Sequence, residues 1–399
     1  MTVRTEPILK VAAMTFGALS VLTTAWQLVH AQALEVGQGC GWDGSVYCAM
    51  TRGELVIEPY NRRVLLPWLT SLFSAGDPLA GFRVLNAIGL VGLVAAVLWL
   101  LRVVAPSQVP RTVMVLIGSL VVLNPWTVHI YLTYPVLTDF FSAALAIAWC
   151  ATTLRRTRRA DILGFGFLVC LGMTREHWSA VAAAAAWVAV LLGLRTWRWA
   201  TASSALSLAV LVFAFTRPTS LAAEPLTSVL LLWARESVAS PENFTRLVFM
   251  VLTGVGLVCL LPLLRLSAVR QDRRLLWLCA VALGNLAASL FAGGDTDRIL
   301  MPTGLILLVV SVALVIREPR LALPWVLLAM ATVMTWHPWA LVGPDGASWL
   351  SFYGLRIEPI DFVMRRIASD ASAVAVPVIM AILLALPWYA AQEETPDPS

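Results

Sequence analysis

Long apolar segments recur along the whole chain and are separated by short, charged connections. They occupy 8–29, 83–101, 112–130, 135–154, 161–173, 178–194, 197–216, 246–264, 275–292, 299–316, 321–339 and 371–390. Most of them have enough residues to cross the ~30 Å hydrocarbon core of a bilayer as a helix. Only 13% of the 399 residues are charged, about half the share in a soluble domain. We therefore predict an all-α, polytopic membrane bundle of about 12 spans.

The apolar segments extend over nearly the entire chain. We expect residues 1–391 to form a single transmembrane domain and residues 392–399 to be a disordered cytoplasmic tail. The stretch 64–74 is apolar but short, and Pro67 interrupts it. This pattern predicts an amphipathic helix that lies at the membrane interface within the first outer loop.

Arginine is distributed unevenly between the two sides of the predicted bundle. When the N-terminus is placed in the cytoplasm, every short inner loop is basic and the outer segments together are acidic. Positively charged loops remain on the cytoplasmic side of a membrane, so we predict a cell-membrane protein with both termini in the cytoplasm. The long connections, at about 30–63, 217–245 and 340–370, then lie outside, where binding and chemistry are expected.

The first outer loop carries a carboxylate, an arginine and two cysteines. Asp43, between Trp42 and Gly44, is a candidate general base, or else it caps the turn that follows it. Arg63 either binds a lipid phosphate or extends to the headgroups as an ordinary interfacial arginine. Cys40 and Cys48 share this loop and form a disulfide only if the loop lies in an oxidising compartment.

Two further charged positions fall near the outer ends of apolar segments. Asp139 lies where a charge is costly unless it faces a polar cavity, although a carboxylate at a helix N-terminus needs no further function. Arg175, Glu176 and His177 join two short predicted helices, so their turn is expected below the membrane surface. Arg175 can then reach Asp139 or a phosphate. The alternative is a surface turn with a weak local ion pair.

A last cluster, Gly293-Gly294-Asp295-Thr296-Asp297-Arg298, precedes another apolar segment. Asp295 and Asp297 either hold a divalent cation through hard oxygen ligands or cap a glycine turn. Arg298 is a candidate phosphate ligand. The predicted topology places all these charged residues on the outer side, where they could line one cavity.

In their order along the chain these residues resemble the GT-C superfamily of integral-membrane glycosyltransferases, in particular bacterial members that use polyprenyl-phosphate sugars. The pattern is Asp43, then Tyr60-x-x-Arg63-x-Leu65-x-Pro67, Thr138-Asp139, Arg175-Glu176 and Asp295-x-x-Arg298. Many members carry paired acids in the first outer loop, whereas this chain has only Asp43 in that immediate stretch.

The resemblance implies inverting transfer of a sugar from a lipid-linked donor to a glycan or lipid acceptor on the extracytoplasmic side. Asp43 would be the catalytic base, and Arg63, Arg175 and Arg298 would bind the donor phosphate. The other candidate substrate-binding residues are Tyr60, Asp139, Glu176, His177, Asp295 and Asp297. No cofactor is required, although Mg²⁺ or Mn²⁺ could assist. Partners would be membrane lipids and these substrates, not nucleic acid.

A transporter or lipid flippase of the cell envelope is the main alternative, because buried charges also line substrate pathways. Such a protein needs polar groups across the depth of the bilayer, but the candidate site residues gather on one side and the middles of the spans carry almost no polar residues. A non-catalytic scaffold for envelope assembly is a third hypothesis.

Overall fold

The computed structural model describes residues 5–74, 76–105, 109–137, 139–219, 235, 239–289, 299–339 and 341. Within these residues the regular structure is helical, without strands. The α-helices are α1 Thr5–His30, α2 Trp42–Thr51, α3 Leu65–Phe73, α4 Pro78–Val104, α5 Arg111–Leu123, α6 Val128–Thr133, α7 Asp139–Leu154, α8 Arg158–Thr174, α9 His177–Leu191, α10 Trp197–Phe215, α11 Pro241–Val255, α12 Leu260–Leu264, α13 Leu266–Gln271, α14 Arg273–Ser289, α15 Met301–Arg317 and α16 Ala322–Trp336. Short 3-10 turns lie at Tyr60–Arg62, Leu257–Cys259 and Pro319–Leu321.

The bundle is built around α15, which is buried on nearly all sides. It packs against α4, α7, α11 and α14. A helix enclosed in this way needs apolar residues around its whole circumference. The sequence of α15 from Leu305 to Ile316 meets that requirement, with only Ser311 as a polar residue. On the outside, α1 packs against α5, and α9 packs against α10.

Four helices in the described part of the chain have the length and hydropathy of a membrane span. They are Glu6–His30, Pro78–Val104, Trp197–Phe215 and Pro319–Trp336, and a bent pair, Asn243–Leu252 with Leu257–Leu264, would add a fifth. Large apolar side chains on the outward faces of these helices are exposed, for example Leu22 and Val29 on α1 and Val91 on α4. Exposed apolar surface of this extent is compatible with lipid rather than water. The chain is a helical membrane protein.

Two predicted spans are interrupted in the structure. The segment 112–130 is divided into α5 and α6, because Asn124 precedes Pro125 and a residue before proline is disfavoured in a helix. The segment 246–264 bends by 86° next to Gly256, which has a φ of +83° and lies so close to Thr332 that a side chain would collide. Both interruptions replace one predicted helix by shorter ones.

The predicted number of about 12 spans is not confirmed: within the described residues four helices, or five with the bent pair, have the length and hydropathy of a span. The predicted amphipathic helix at 64–74 is present as α3, with Trp68 and Phe73 exposed, but its place at a membrane interface stays a prediction. The segment 371–390, the tail 392–399 and most of the outer connections 217–245 and 340–370 lie outside the described residues.

The described bundle has two chemically different ends. At one end lie the start of α7 at Asp139 and the junction of α8 with α9 at Arg175. At the other end the last turn of α4, the end of α7 and the first turn of α14 converge around several arginines, including Arg102 and Arg274. We call these the site end and the arginine end.

Candidate functional site

The loop that follows α1 is folded at the site end rather than extended. Residues 42–51 form α2, and the disulfide between Cys40 and Cys48 closes this segment. The N-cap position is Gly41, whose φ of +75° suits glycine. A side chain at Gly41 would collide with the Tyr134 ring. Cys40 and Cys48 are therefore disulfide-bonded in the structure. The start of α2 packs directly against Tyr134.

Asp43 lies in the first turn of α2, and the Tyr60 hydroxyl donates a hydrogen bond to its Oδ1 at 2.8 Å. The N-cap residue of α2 is Gly41, and Asp43 lies inside the first turn of this helix. The alternative in which Asp43 caps a turn is therefore not observed. Burial of the phenol and the neighbouring Asp43 charge raise the pKa of Tyr60. Tyr60 therefore remains protonated and orients the Asp43 carboxylate.

Tyr47 connects the Asp43 region to Arg63, and the sequence alone did not identify it. It is four residues after Asp43, so both lie on one face of α2. Its ring meets the Tyr60 ring edge-on, with centroids 5.6 Å apart. Its hydroxyl accepts a hydrogen bond from Arg63 Nη1 at 3.1 Å.

Arg63 and Glu176 form a two-pronged ion pair between the first loop and the α8–α9 junction. Arg63 Nε donates to Oε2 at 3.2 Å and Nη2 donates to Oε1 at 3.4 Å. Both side chains are only 14% exposed. Burial alone opposes ionisation of the carboxyl group, but the Arg63 charge and its hydrogen bonds lower the pKa of Glu176 to about 2. The pair is charged at neutral pH and is geometrically fixed.

Arg175 and Asp139 form a second ion pair, which is more deeply buried, with residue exposures of 3% and 4%. Of the two partners predicted for Arg175, Asp139 or a phosphate, the structure contains the contact with Asp139. Asn86 of α4 fixes the turn before Asp139 by donating to the carbonyl groups of Pro135 and Leu137. A charge pair this deeply buried is stable only when both partners are present.

His177 contacts Asn285 of α14, another residue that the sequence alone did not identify. His177 Nε2 lies 3.2 Å from Asn285 Oδ1. The Asn285 amide nitrogen donates to the Ile299 carbonyl and to the Thr303 hydroxyl, so its oxygen is the acceptor and His177 Nε2 carries the hydrogen. This arrangement attaches the α8–α9 junction to α14 and to the start of α15.

The structure therefore brings seven of the predicted site residues to one end of the bundle. They are Asp43, Tyr60, Arg63, Asp139, Arg175, Glu176 and His177. All seven belong, with Tyr47, to a continuous path of hydrogen bonds, ion pairs, ring contacts and adjacent residues. Asp295, Asp297 and Arg298, together with Thr138, lie outside the described residues.

The charges within this path do not balance. Arg63 and Arg175 each have a carboxylate partner, Glu176 and Asp139 respectively, and Asp43 adds a further carboxylate. A phosphate brought into this environment would meet a net negative charge, which disfavours its binding. Binding of a phosphate therefore requires a cation in addition to the two paired arginines.

Among the described residues, no three His, Cys, Asp or Glu side chains gather in the geometry of a metal site. Assistance by a divalent cation at Asp295 and Asp297 stays a prediction. Comparisons with protein-family models, with curated proteins and with solved structures returned no match for this chain.

Proposed function

We propose that this chain is a GT-C-like membrane glycosyltransferase that moves a sugar from a polyprenyl-phosphate donor to an acceptor on the extracytoplasmic side. The observation that carries the proposal is the connected path from Asp43 to Asp139. It joins three distant segments on which the resemblance to GT-C enzymes rests, namely the first loop with its 3-10 turn at Tyr60, the α8–α9 junction and the start of α7.

The proposed reaction needs one base and one cation. Asp43 takes the proton from an acceptor hydroxyl, and the hydroxyl oxygen attacks the anomeric carbon of the sugar. The bond between that carbon and the phosphate oxygen breaks, and polyprenyl phosphate leaves with the electron pair. Inversion at the anomeric carbon follows from this single displacement.

The charge distribution assigns different roles to the arginines. Arg63 and Arg175 are held by Glu176 and Asp139, so we assign them to positioning the first loop and the α8–α9 junction. Their carboxylate partners offset most of the attraction that Arg63 and Arg175 would exert on a donor phosphate. Arg298 then supplies the remaining positive charge for the leaving phosphate.

The predicted topology completes the proposal. Both termini are cytoplasmic, about 12 spans cross the cell membrane, and α3 lies at the outer interface. The disulfide between Cys40 and Cys48 supports an extracytoplasmic first loop, because disulfides persist in oxidising compartments. Nucleotide sugars do not cross bilayers, so a transferase facing outward needs a donor that is anchored in lipid.

Sugar transfer in native membranes tests this proposal, with a panel of radiolabelled polyprenyl-phosphate sugars as donors. Asp43→Asn keeps the size of the side chain and removes the base, so transfer should fall by about 10²–10⁴-fold. Glu54→Gln is the matched control, because Glu54 is an exposed carboxylate of the same loop, and its transfer rate should equal that of the wild type.

Each contrary outcome has a defined meaning. Equal transfer by wild type and Asp43→Asn would retain the enzyme but remove Asp43 from its chemistry. Absence of transfer from every donor, with the protein folded in the membrane, would contradict the transferase proposal and favour the flippase alternative.

A further inference from the structure

The arginine end contains an open cavity of about 660 Å³ that the proposed reaction does not use. Its lining includes Arg102 from the last turn of α4, Arg155 and Arg156 after α7, and Arg274 from the first turn of α14. No carboxylate belongs to the described lining. Cations from separate elements therefore surround one space without a negative group among them.

Some of the arginines at the same end are paired with carboxylates. Arg195, Arg265 and Arg317 each form an ion pair, with Asp161, Glu318 and Asp272 respectively. The lining of the cavity has no such pair within the described residues, so the feature that sets it apart is the convergence of arginines from separate elements on one space.

The side chains of the cavity arginines contact neutral groups, and the Asp272 carboxylate accepts a hydrogen bond from the backbone N–H of Arg274. Arg102 donates to the Met114 sulfur, Arg156 to the carbonyl groups of Gly193 and Leu194, and Arg274 to that of Val103. Arg155 lies over the Trp99 ring at 5.9 Å. Neutral partners satisfy some N–H groups but do not cancel a charge, so the four cations repel one another. An anion in the cavity would relieve this repulsion.

The surroundings of the cavity indicate a lipid rather than a soluble anion. Leu194 lines the cavity, and the neighbouring Leu191 and Trp197 are 84% and 61% exposed. Exposed leucine and tryptophan side chains at the end of an apolar helix are typical of the boundary between acyl chains and headgroups. A phospholipid can therefore place its acyl chains against this surface and its phosphate among the arginines.

We propose that this cavity binds the headgroup of an anionic phospholipid, with the phosphate held by guanidinium groups. Guanidinium presents paired N–H donors that match the oxygen atoms of a phosphate, and basic pockets between membrane helices recognise such headgroups. The site is separate from the proposed transfer chemistry and does not depend on it.

The test uses the purified full-length chain in a zwitterionic detergent, titrated with short-chain phosphatidylglycerol and followed by native mass spectrometry. Phosphatidylcholine of the same chain length is the comparison lipid. The wild type should bind phosphatidylglycerol at least about tenfold more tightly, since its headgroup keeps a net negative charge. Inorganic phosphate at the same concentration should not displace the lipid.

The double variant Arg102→Gln/Arg274→Gln should bind phosphatidylglycerol about twenty-five-fold more weakly, at roughly fivefold for each cation removed. The matched control is Arg158→Gln/Arg159→Gln, which removes two exposed arginines of the same end that do not line the cavity. Its affinity should stay within about twofold of the wild type, because its charges lie farther from the bound phosphate.

Several outcomes would overturn the proposal. Equal affinity of the wild type for the two lipids would exclude recognition of an anion, and displacement by inorganic phosphate would identify a soluble ligand instead. An equal loss in both double variants would indicate general attraction to a basic surface. If the cavity variant does not fold, as judged by its thermal unfolding, the lipid titrations of the wild type are compared with those of Arg155→Gln, whose side chain stacks on a ring. This variant should bind phosphatidylglycerol about fivefold more weakly than the wild type, and an unchanged affinity would overturn the proposal.

Discussion

Replacing Asp139 with Asn removes the carboxylate from the most deeply buried ion pair at the site end. The side chains of Arg175 and Asp139 are only 4% and 5% exposed, so water cannot replace the lost partner. Removing one member of a buried pair leaves an uncompensated charge and costs about 3–5 kcal/mol. We expect the free energy of unfolding of Asp139→Asn to fall by that amount.

The double variant Asp139→Asn/Arg175→Gln removes both charges and should recover part of this loss. A double-mutant cycle then gives a coupling energy of about 2–3 kcal/mol between the two side chains. The exposed pair Arg52–Glu54, with side chains 53% and 54% exposed, is the control. Arg52→Gln should cost less than about 1 kcal/mol.

The measurement is unfolding in detergent micelles by a denaturing surfactant, followed by circular dichroism and by tryptophan fluorescence. Comparable losses for Asp139→Asn and Arg52→Gln would refute the reasoning, because a buried charge would then have lost its partner without penalty. Additive losses in the cycle would show that Arg175 and Asp139 do not act as a pair.

The remaining predictions concern the first loop and the α8–α9 junction. Tyr60→Phe removes the hydrogen bond to Asp43 and should lower kcat for sugar transfer by about tenfold with KM unchanged; a change in KM alone would contradict this positioning role. Cys40→Ser/Cys48→Ser opens a loop of 8 residues in sequence separation and should lower stability in oxidising buffer by about 2.5 kcal/mol, whereas stability in reducing buffer should be equal for both proteins. Glu176 has a pKa lowered to about 2, from 4.5 in the unfolded chain, so its stabilising effect is complete above pH 4.5 and is lost as the pH falls toward 2. The difference in thermal unfolding between wild type and Glu176→Gln should therefore be constant at neutral pH and shrink only below pH 4.5.

The helices could be predicted from hydropathy, because a long apolar run in this composition has no other stable backbone than a helix. The Asn124-Pro125 pair in the sequence also indicates the end of α5, although the predicted span 112–130 extended beyond it. The bend beside Gly256 could not be predicted in the same way, since it depends on the approach of Thr332 from a distant helix.

The site was predictable as a set of charged residues but not as a set of pairs. Asp139 was one of two partners expected for Arg175, the other being a phosphate, because both charges fall near the ends of apolar segments, where each needs a partner. Tyr47 was missed because its glycine-containing segment was expected to be a turn. Recognition of α2 would have placed Tyr47 one helical turn from Asp43. Asn285 gave no local signal, since its role comes from three separate contacts across the bundle.

The position of buried charge supports the proposed transferase over the flippase. The buried charged residues within the described part of the chain are Arg62, Asp139, Arg175 and Arg265, and all of them lie at or beyond the ends of α-helices. Deeper in the bundle, Ser311 and Thr332 donate to carbonyl groups of their own helices. These two hydroxyl groups are satisfied within their own helices and do not add to a polar path for a headgroup. A donor that approaches from the lipid and reacts at the site end needs no such path, because only its phosphate and sugar have to leave the apolar layer.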